Sequence, residues 1–272
     1  MTNSPREVSI KVDGRRVEAV MCGPAPDRAP TLVLLHEGLG CVAMWRDFPQ
    51  KLAARSGYGV LAYSRPGYGK SDAVPLPRPL SYMHDEALQV LPHVLDQAGV
   101  KKTILIGHSD GASIAAIYAG GRQDFRVRGL VLMAPHFFVE DISVKSIAAA
   151  KEAYDKGDLR ERLRRYHGDN VDVAFRGWND AWLDPGFRAW RIDDYVAHIR
   201  VPILIVQGRD DQYGTLAQIE LAERDAYSPV DAVILDRCGH SPHVDQPEAT
   251  LEAIAEFVNR VLAIHEGLAP AA

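Results

Sequence analysis

The chain has 272 residues, 47% hydrophobic and 25% charged, with a formal net charge of -5. This length and composition fit one large globular domain that carries an insertion, and they exclude a low-complexity or collagen-like chain. Acidic and basic residues are interspersed, so we expect no basic surface for nucleic acid and none for an anionic membrane.

The start of the chain and its cysteines indicate a compartment. Met1–Ser9 is polar, unlike the apolar core of a signal peptide, and no apolar run approaches the ~20 residues that span a bilayer. Cys22, Cys41 and Cys238 are far apart and form no C-x-x-C pair, which argues against structural zinc and against a disulfide framework. We therefore expect a cytoplasmic protein that does not bind membranes.

The chain opens with a predicted hairpin and continues as strands that alternate with helices. Val8–Ile10 and Val17–Val20 flank Asp13-Gly14, a strong turn signal. Buried strands are then predicted at Thr31–Leu35, Gly59–Tyr63, Thr103–Ile106, Leu130–Met133, Pro202–Val206 and Ala232–Leu235. Helical periodicity is found at Ala43–Ser56, Tyr82–Ala98, Ser113–Ala119 and Ala249–Ile264. The alternation predicts an α/β fold whose mainly parallel sheet is covered by helices on both faces.

One interval breaks this alternation between the predicted strands that end near Ala134 and begin at Pro202. It carries only helical patterns, at Lys145–Lys156, Asp158–Tyr166 and Phe175–Trp190. We predict that residues 137–199 form a helical lid inserted into a core of residues 1–136 and 200–272. Such a lid lies above the carboxyl ends of the strands, where open α/β sheets bind ligands.

A candidate nucleophile follows the predicted strand Thr103–Ile106. The chain reads G-H-S-D-G over residues 107–111 and continues with small residues that begin a helix. G-x-S-x-G between a strand and a helix is typical of a nucleophilic serine on a tight turn, where flanking glycines let strand and helix approach. The turn places the N–H of Asp110 at a helix N-terminus, facing a developing oxyanion beside Ser109.

A serine hydroxyl is a weak nucleophile until an oriented base takes its proton. Two adjacent acids, Asp210 and Asp211, follow one predicted strand, and His240 and His243 follow the next. Both loops leave the carboxyl ends of their strands. The order Ser109, aspartate, histidine is the order that serine hydrolases of the α/β-hydrolase type use.

On these residues the chain resembles the α/β-hydrolase superfamily over residues 8–265. The resemblance implies an eight-stranded, mostly parallel sheet and a Ser109, Asp211, His240 triad with no metal or organic cofactor. The family places its acid three residues after the glycine that ends the strand, which selects Asp211 and leaves Asp210 as the alternative. His240 resembles the base of the family, whereas His243 resembles a helix-start residue.

Two loops depart from the pattern of similar hydrolases. The loop after Thr31–Leu35 reads H-E-G-L-G over residues 36–40, where histidine-glycine is usual. If Glu37 aligns without a gap, Gly38 supplies the second oxyanion N–H; if Glu37 is an insertion, Leu39 supplies it. In the turn over residues 63–71, Ser64 stands where aspartate is commoner.

These departures suggest that a carboxylate has moved from position 64 to position 37. We hypothesise that Glu37 pairs with Arg65 or with a backbone donor of the same turn, since an unpaired carboxylate beside a forming oxyanion would raise the barrier. The alternatives are that Glu37 points into solvent or contacts the substrate directly.

The substrate is a small molecule, and aromatic residues of the predicted lid are candidates to contact it. Phe137, Trp178 and Trp182 form either an apolar pocket or only the small core of the lid. The histidines His36, His84, His93, His108 and His136 lack ligand spacing with acidic partners, so we expect no metal site. The sequence leaves the oligomeric state open.

The expected reaction is hydrolysis of a small to medium carboxylic ester through an acyl-enzyme. Cleavage of a carbon–carbon bond in a ring-fission diketone and hydrolysis of a lactone remain open within the same resemblance. Dehalogenation is disfavoured because that branch uses aspartate as nucleophile, at the position of Ser109. A non-catalytic ligand receptor on the same fold is a different class, and the intact triad argues against it.

Overall fold

The computed structural model describes residues 4–265 and contains ten strands. The strands are β1 Arg6–Glu7, β2 Ile10–Val12, β3 Arg15–Val17, β4 Ala19–Cys22, β5 Thr31–Leu35, β6 Gly59–Tyr63, β7 Thr103–His108, β8 Val127–Met133, β9 Ile203–Gly208 and β10 Val230–Leu235. Eight of them form one sheet in the order β1-β4-β6-β5-β7-β8-β9-β10. The pairs from β6 to β10 are parallel, and β4 joins β6 antiparallel, which confirms the predicted eight-stranded, mostly parallel sheet.

Helices connect the strands and cover both faces of the sheet. They are α1 Phe48–Ser56, α2 Tyr82–Asp85, α3 Leu91–Gln97, α4 Asp110–Arg122, α5 Asp141–Lys156, α6 Leu159–His167, α7 Val171–Leu183, α8 Asp193–Ala197, α9 Ala217–Asp225, α10 Pro242–Asp245 and α11 Pro247–His265. Alternate residues of β5 enter opposite cores, since successive strand side chains point to opposite faces. Leu32 and Leu34 pack on the face with α1 and α11, and Val33 and Leu35 pack on the face with α4.

The predicted hairpin forms as a separate two-stranded ribbon of β2 and β3, joined by Asp13 and Gly14. Both turn residues have positive φ, 49° and 78°, as the tight hairpin turn requires. The predicted helix over residues 43–56 is divided, because Arg46 also has a positive φ of 53°. Helix α1 therefore begins at Phe48, with Pro49 in the first turn, where its missing N–H costs no helical hydrogen bond.

The interval 137–199 contains α5, α6, α7 and α8, and in this fully described stretch no residue belongs to the eight-stranded sheet. Its ends are held together by an isolated antiparallel bridge between Phe138 and Arg191. Aromatic rings fill its interior: Tyr154 and Phe175 stack with centroids 3.6 Å apart. A role as a lid stays a prediction. The outer ends of the predicted core, residues 1–3 and 266–272, lie outside the described residues.

Within residues 4–265, no helix combines the length and apolar character that a membrane crossing requires.

Candidate active site

Ser109 occupies the turn between β7 and α4 with φ 53° and ψ -120°. This is a strained conformation for a residue with a side chain, and the surrounding structure must hold it. The Ser109 N–H donates to the carbonyl of Met133 at 2.9 Å. A Cβ on Gly111 would overlap the carbonyl of Leu35, so only glycine lets α4 approach β5 this closely. This close approach explains why the motif requires glycine at position 111.

The structure brings Ser109, His240 and Asp211 together from three different strand ends. Oγ of Ser109 lies 2.9 Å from Nε2 of His240. Nδ1 of His240 lies 2.9 Å from both carboxylate oxygens of Asp211. Asp210 is exposed and makes no such contact with His240 among the described residues, so the geometry selects Asp211 as the partner.

Two further hydrogen bonds hold the Asp211 carboxylate in place. It accepts hydrogen bonds from Nε2 of Gln207 and from the N–H of Tyr213, each at 2.7 Å. Burial alone would raise the pKa of Asp211, but the hydrogen bond and charge of His240 lower it below its ordinary value. Asp211 is therefore ionised over the working pH range and holds the His240 ring in one orientation.

A small cavity of about 90 Å³ opens beside Ser109. Its lining comprises Glu37, Gly38, Leu39, Ser109, Asp110, His136, Ile147, Trp178, Trp182, Tyr213 and His240. The predicted contacts Trp178 and Trp182 therefore lie on its wall, both contributed by α7. The indole nitrogen of Trp178 occupies the place where a Cβ of residue 38 would be. Only glycine at position 38 lets this indole approach the loop.

Phe137 does not reach the cavity. Its side chain is fully buried in the main core, and its backbone N–H donates to Oε1 of Gln218 at 2.7 Å. Phe137, a predicted substrate contact, therefore packs in the hydrophobic core and does not line the cavity.

Three backbone N–H groups remain candidates for the oxyanion hole: those of Gly38, Leu39 and Asp110. None of them donates to another described residue, and all three residues line the cavity. The loop that carries Gly38 and Leu39 is held by Arg65, whose guanidinium donates to the carbonyl of Glu37 at 2.8 Å. Arg65 is fully buried, so this anchor is protected from solvent.

The side chain of Asp110 joins a buried network on the other side of the cavity. It accepts from the hydroxyl of Tyr82 at 2.5 Å and from the indole of Trp182 at 3.3 Å, and Arg65 lies 3.9 Å away. Burial raises the pKa of Asp110, and Arg65 and Tyr82 oppose that rise. Arg65 thus contacts residues on both sides of the candidate oxyanion hole.

The carboxylate of Glu37 does not pair with Arg65, which corrects the hypothesis of a swapped carboxylate. Its Oε2 lies 3.5 Å from Nδ1 of His108, and its side chain is 23% exposed. Nε2 of His108 lies 2.7 Å from the carbonyl oxygen of His240. Arg65 binds the backbone of Glu37 instead, because the carboxylate points across the loop towards the serine turn.

An acid from another part of the chain contacts Ser64, at the position where aspartate is commoner. Oγ of Ser64 donates to Oε2 of Glu18 at 2.6 Å and accepts from the N–H of Val42 at 2.9 Å. The same carboxylate oxygen accepts the N–H of Lys70 at 2.9 Å. Glu18, between β3 and β4, therefore supplies the negative charge that binds this turn.

The residues that sequence reasoning missed on the cavity wall are His136, Ile147 and Tyr213. The sequence around His136 lacks metal-ligand spacing and predicts no role in the site. No group of three or more potential metal ligands occurs within residues 4–265. Tyr213 lies two residues after Asp211, a spacing that could have indicated it. Ile147 carries no signal in sequence, because its position depends on how α5 packs.

The family model described as "Alpha/beta hydrolase family" matches residues 32–253. With the sheet order and the strained serine turn in place, the chain belongs to the alpha/beta hydrolase family. It is similar in fold to the 2-hydroxy-6-oxo-6-phenylhexa-2,4-dienoate hydrolase of Rhodococcus sp. strain RHA1. That match has a TM-score of 0.77 at 17% identity and covers 95% of this chain and 100% of the other.

Curated relatives carry different activities. One is a 2-hydroxy-6-oxononadienedioate/2-hydroxy-6-oxononatrienedioate hydrolase of Burkholderia vietnamiensis, 26% identical, with 84% of this chain and 87% of the relative covered. A proline iminopeptidase of Lactobacillus delbrueckii subsp. lactis is 25% identical, with 87% and 92% covered. A pimeloyl-[acyl-carrier protein] methyl ester esterase of Aeromonas salmonicida is 26% identical, with 85% and 96% covered. The relatives agree on hydrolysis and disagree on the bond.

Proposed function

We propose that this hydrolase cleaves uncharged carboxylic esters with a short acyl chain, using Ser109 as nucleophile. The observation that carries the proposal is the wall of the cavity beside Ser109. That wall is mostly apolar, with two carboxylates, and none of the described residues lining it is lysine or arginine. A carboxylate on the substrate would therefore find no counter-charge and would face Glu37 and Asp110.

This charge pattern separates the proposal from the activity printed for the Burkholderia relative, whose substrates are named as dioates. A dicarboxylate needs cationic or multiple neutral donors at its ends. The cavity volume of about 90 Å³ is also smaller than the roughly 150 Å³ cavity that holds a benzene ring. A short aliphatic acyl group fits both the small volume of the cavity and the mostly apolar character of its wall.

The proposed mechanism follows from the triad geometry. Oγ of Ser109 attacks the ester carbonyl while Nε2 of His240 takes its proton, and Asp211 stabilises the imidazolium at Nδ1. The oxyanion accepts hydrogen bonds from the N–H of Asp110 and from that of Gly38 or Leu39. Each such donor is worth roughly 2.7 to 4 kcal/mol of barrier. His240 then protonates the leaving alcohol, and water attacks the acyl-enzyme in the same way.

The test is a panel of p-nitrophenyl esters from acetate to octanoate, run beside a ring-fission diketone, a γ-lactone and prolyl p-nitroanilide. We expect the highest kcat/KM on the short esters. Faster turnover of the diketone, the lactone or the prolyl substrate would replace the ester assignment. Labelling by a fluorophosphonate probe, compared between the native chain and Ser109→Ala, separates an enzyme from a non-catalytic receptor. Absence of labelling in the folded native chain would contradict the proposal.

A further inference from the structure

His136 is a polar side chain on the cavity wall that the proposed mechanism does not use. It follows β8, and only 3% of its surface is exposed. Its backbone is fixed, since the carbonyl accepts a hydrogen bond from Oγ of Ser113 at 2.6 Å. The ring lies between Trp182 and His240, with centroid distances of 5.2 and 5.6 Å. The imidazole is therefore held rigidly within reach of a bound substrate.

Neither ring nitrogen of His136 has a hydrogen-bond partner among residues 4–265. Nδ1 is fully buried and lies on the side of Gly214, outside the cavity lining, so Nε2 is the nitrogen that a group in the cavity can reach. Several other buried polar atoms in this part of the chain also lack a partner, but none of those belongs to a residue that lines the cavity. Buried polar groups are nearly always hydrogen-bonded, and an exception requires an explanation. A polar group of the substrate would supply the missing partner.

The imidazole of His136 is uncharged. Burial lowers the pKa of His136, and the neighbouring charge of His240 lowers it further, to about 3. A neutral imidazole offers one donor and one acceptor. It complements a hydroxyl or a carbonyl oxygen rather than an ion.

We infer that His136 binds an uncharged hydroxyl or keto oxygen that the substrate carries close to the scissile ester bond. This inference rests on the proposed ester hydrolysis and names its substrate class as hydroxylated or keto esters. Charged groups are excluded by the same wall. Among residues 4–265, no lysine or arginine lines the wall to pair with a carboxylate. The carboxylates of Glu37 and Asp110 already contact His108 and Tyr82, so neither is a free partner for an ammonium group.

The experiment compares esters of matched size that differ by one hydroxyl. Propyl butyrate is the reference, propyl 2-hydroxybutyrate and propyl 3-hydroxybutyrate place the hydroxyl in the acyl part, and 2-hydroxyethyl butyrate places it in the alcohol part. We expect the native enzyme to cleave at least one hydroxylated ester with kcat/KM about tenfold above the reference, as one added hydrogen bond allows. The preferred ester identifies which part of the substrate faces His136.

The variant His136→Phe keeps a ring against Trp182 but removes both nitrogens. We expect the ratio of kcat/KM for the preferred hydroxylated ester to kcat/KM for propyl butyrate to fall from about ten to about one. His136→Gln, which retains a donor and an acceptor, should keep part of the preference. The matched control is His243→Phe, a partly buried histidine against Trp45 that does not line the cavity, and it should leave the preference unchanged.

Two results would overturn the inference: a native enzyme that prefers propyl butyrate to every hydroxylated ester, or a His136→Phe variant that keeps the preference. If no ester is cleaved, the proposed function fails, and binding still tests His136. Binding of the same four esters to Ser109→Ala, with and without His136→Phe, is measured by NMR titration. Equal loss of affinity for all four on adding His136→Phe would also reject the contact.

Discussion

The carboxylate of Glu37 contacts the imidazole of His108 beside Ser109, with Oε2 3.5 Å from Nδ1. His108 precedes Ser109 in the chain, and its second nitrogen contacts the carbonyl oxygen of His240 at 2.7 Å. One imidazole thus links the loop of the candidate oxyanion hole to the loop of the base.

The first prediction concerns the charge state of this pair. Burial alone lowers the pKa of His108, but Glu37 raises it above the ordinary 6.5. Burial alone raises the pKa of Glu37, but His108 lowers it well below the ordinary 4.5. The contribution of the pair to stability is therefore fullest between pH 4.5 and 6.5. It declines at higher pH through the raised pKa of His108 and at lower pH as Glu37 is protonated.

We expect Glu37→Gln to lower the pKa of His108, measured by NMR of its ring protons, and to cost about 1 kcal/mol of unfolding free energy near pH 6. The cost should shrink as the pH rises through the raised pKa of His108. Glu256→Gln, an exposed acid on α11, is the control. A His108 pKa unchanged in Glu37→Gln would show that the contact is not an ion pair in solution.

The second prediction ranks the triad. Ser109→Ala and His240→Ala should each reduce kcat by roughly a million-fold with the fold retained. Asp211→Asn should lose on the order of ten-thousand-fold, because the His240 tautomer is no longer fixed. Asp210→Asn serves as the matched control, since Asp210 is exposed, and it should stay near native. Steady-state kinetics give kcat of each variant, and circular dichroism checks that the fold is retained. A larger loss of kcat in Asp210→Asn than in Asp211→Asn would make Asp210 the acid of the triad.

The third prediction tests the contact between Ser64 and Glu18. Ser64→Asp places a second carboxylate within hydrogen-bond distance of Glu18 and should destabilise the protein by about 3 kcal/mol. Adding Glu18→Ala should recover part of this loss through coupling between neighbours. Adding Glu37→Gly should recover none, because Glu37 faces His108. Urea unfolding of the three variants measures these free energies. Recovery of stability on adding Glu37→Gly would restore the swapped-carboxylate hypothesis.

The fourth prediction concerns the size limit of the cavity. Trp178→Ala removes the indole that covers Gly38, and we expect the preferred acyl chain to lengthen by several carbons. Because Trp178 is buried, the same change should cost about 3 to 5 kcal/mol of stability. Trp190→Ala is the matched control, an aromatic residue of the same interval that does not line the cavity. Chain-length profiles on p-nitrophenyl esters are the measurement, and an unchanged profile in Trp178→Ala would place the acyl chain elsewhere.

Several features of this protein were determined by sequence alone, because they depend on local patterns. The turn at Asp13-Gly14, the buried strands and the G-x-S-x-G turn each combine neighbouring residues whose backbone preferences agree. Strands β5 and β6 were predicted at their observed bounds. Strand ends that meet at one edge of a parallel sheet predicted a site with Ser109, an aspartate and a histidine. The choice of Asp211 over Asp210 and of His240 over His243 came from the resemblance to the α/β-hydrolase superfamily.

Tertiary structure alone decided which partners distant side chains have. Sequence analysis proposed Arg65 or a backbone donor of the same turn as the partner of Glu37. The carboxylate instead points to His108, and Glu18, between β3 and β4, contacts Ser64. Phe137 lies in the core while His136, its neighbour, faces the cavity, because adjacent residues point in different directions once the chain turns. Such choices depend on packing between elements far apart in the chain, where several polar partners compete and local propensity carries no information.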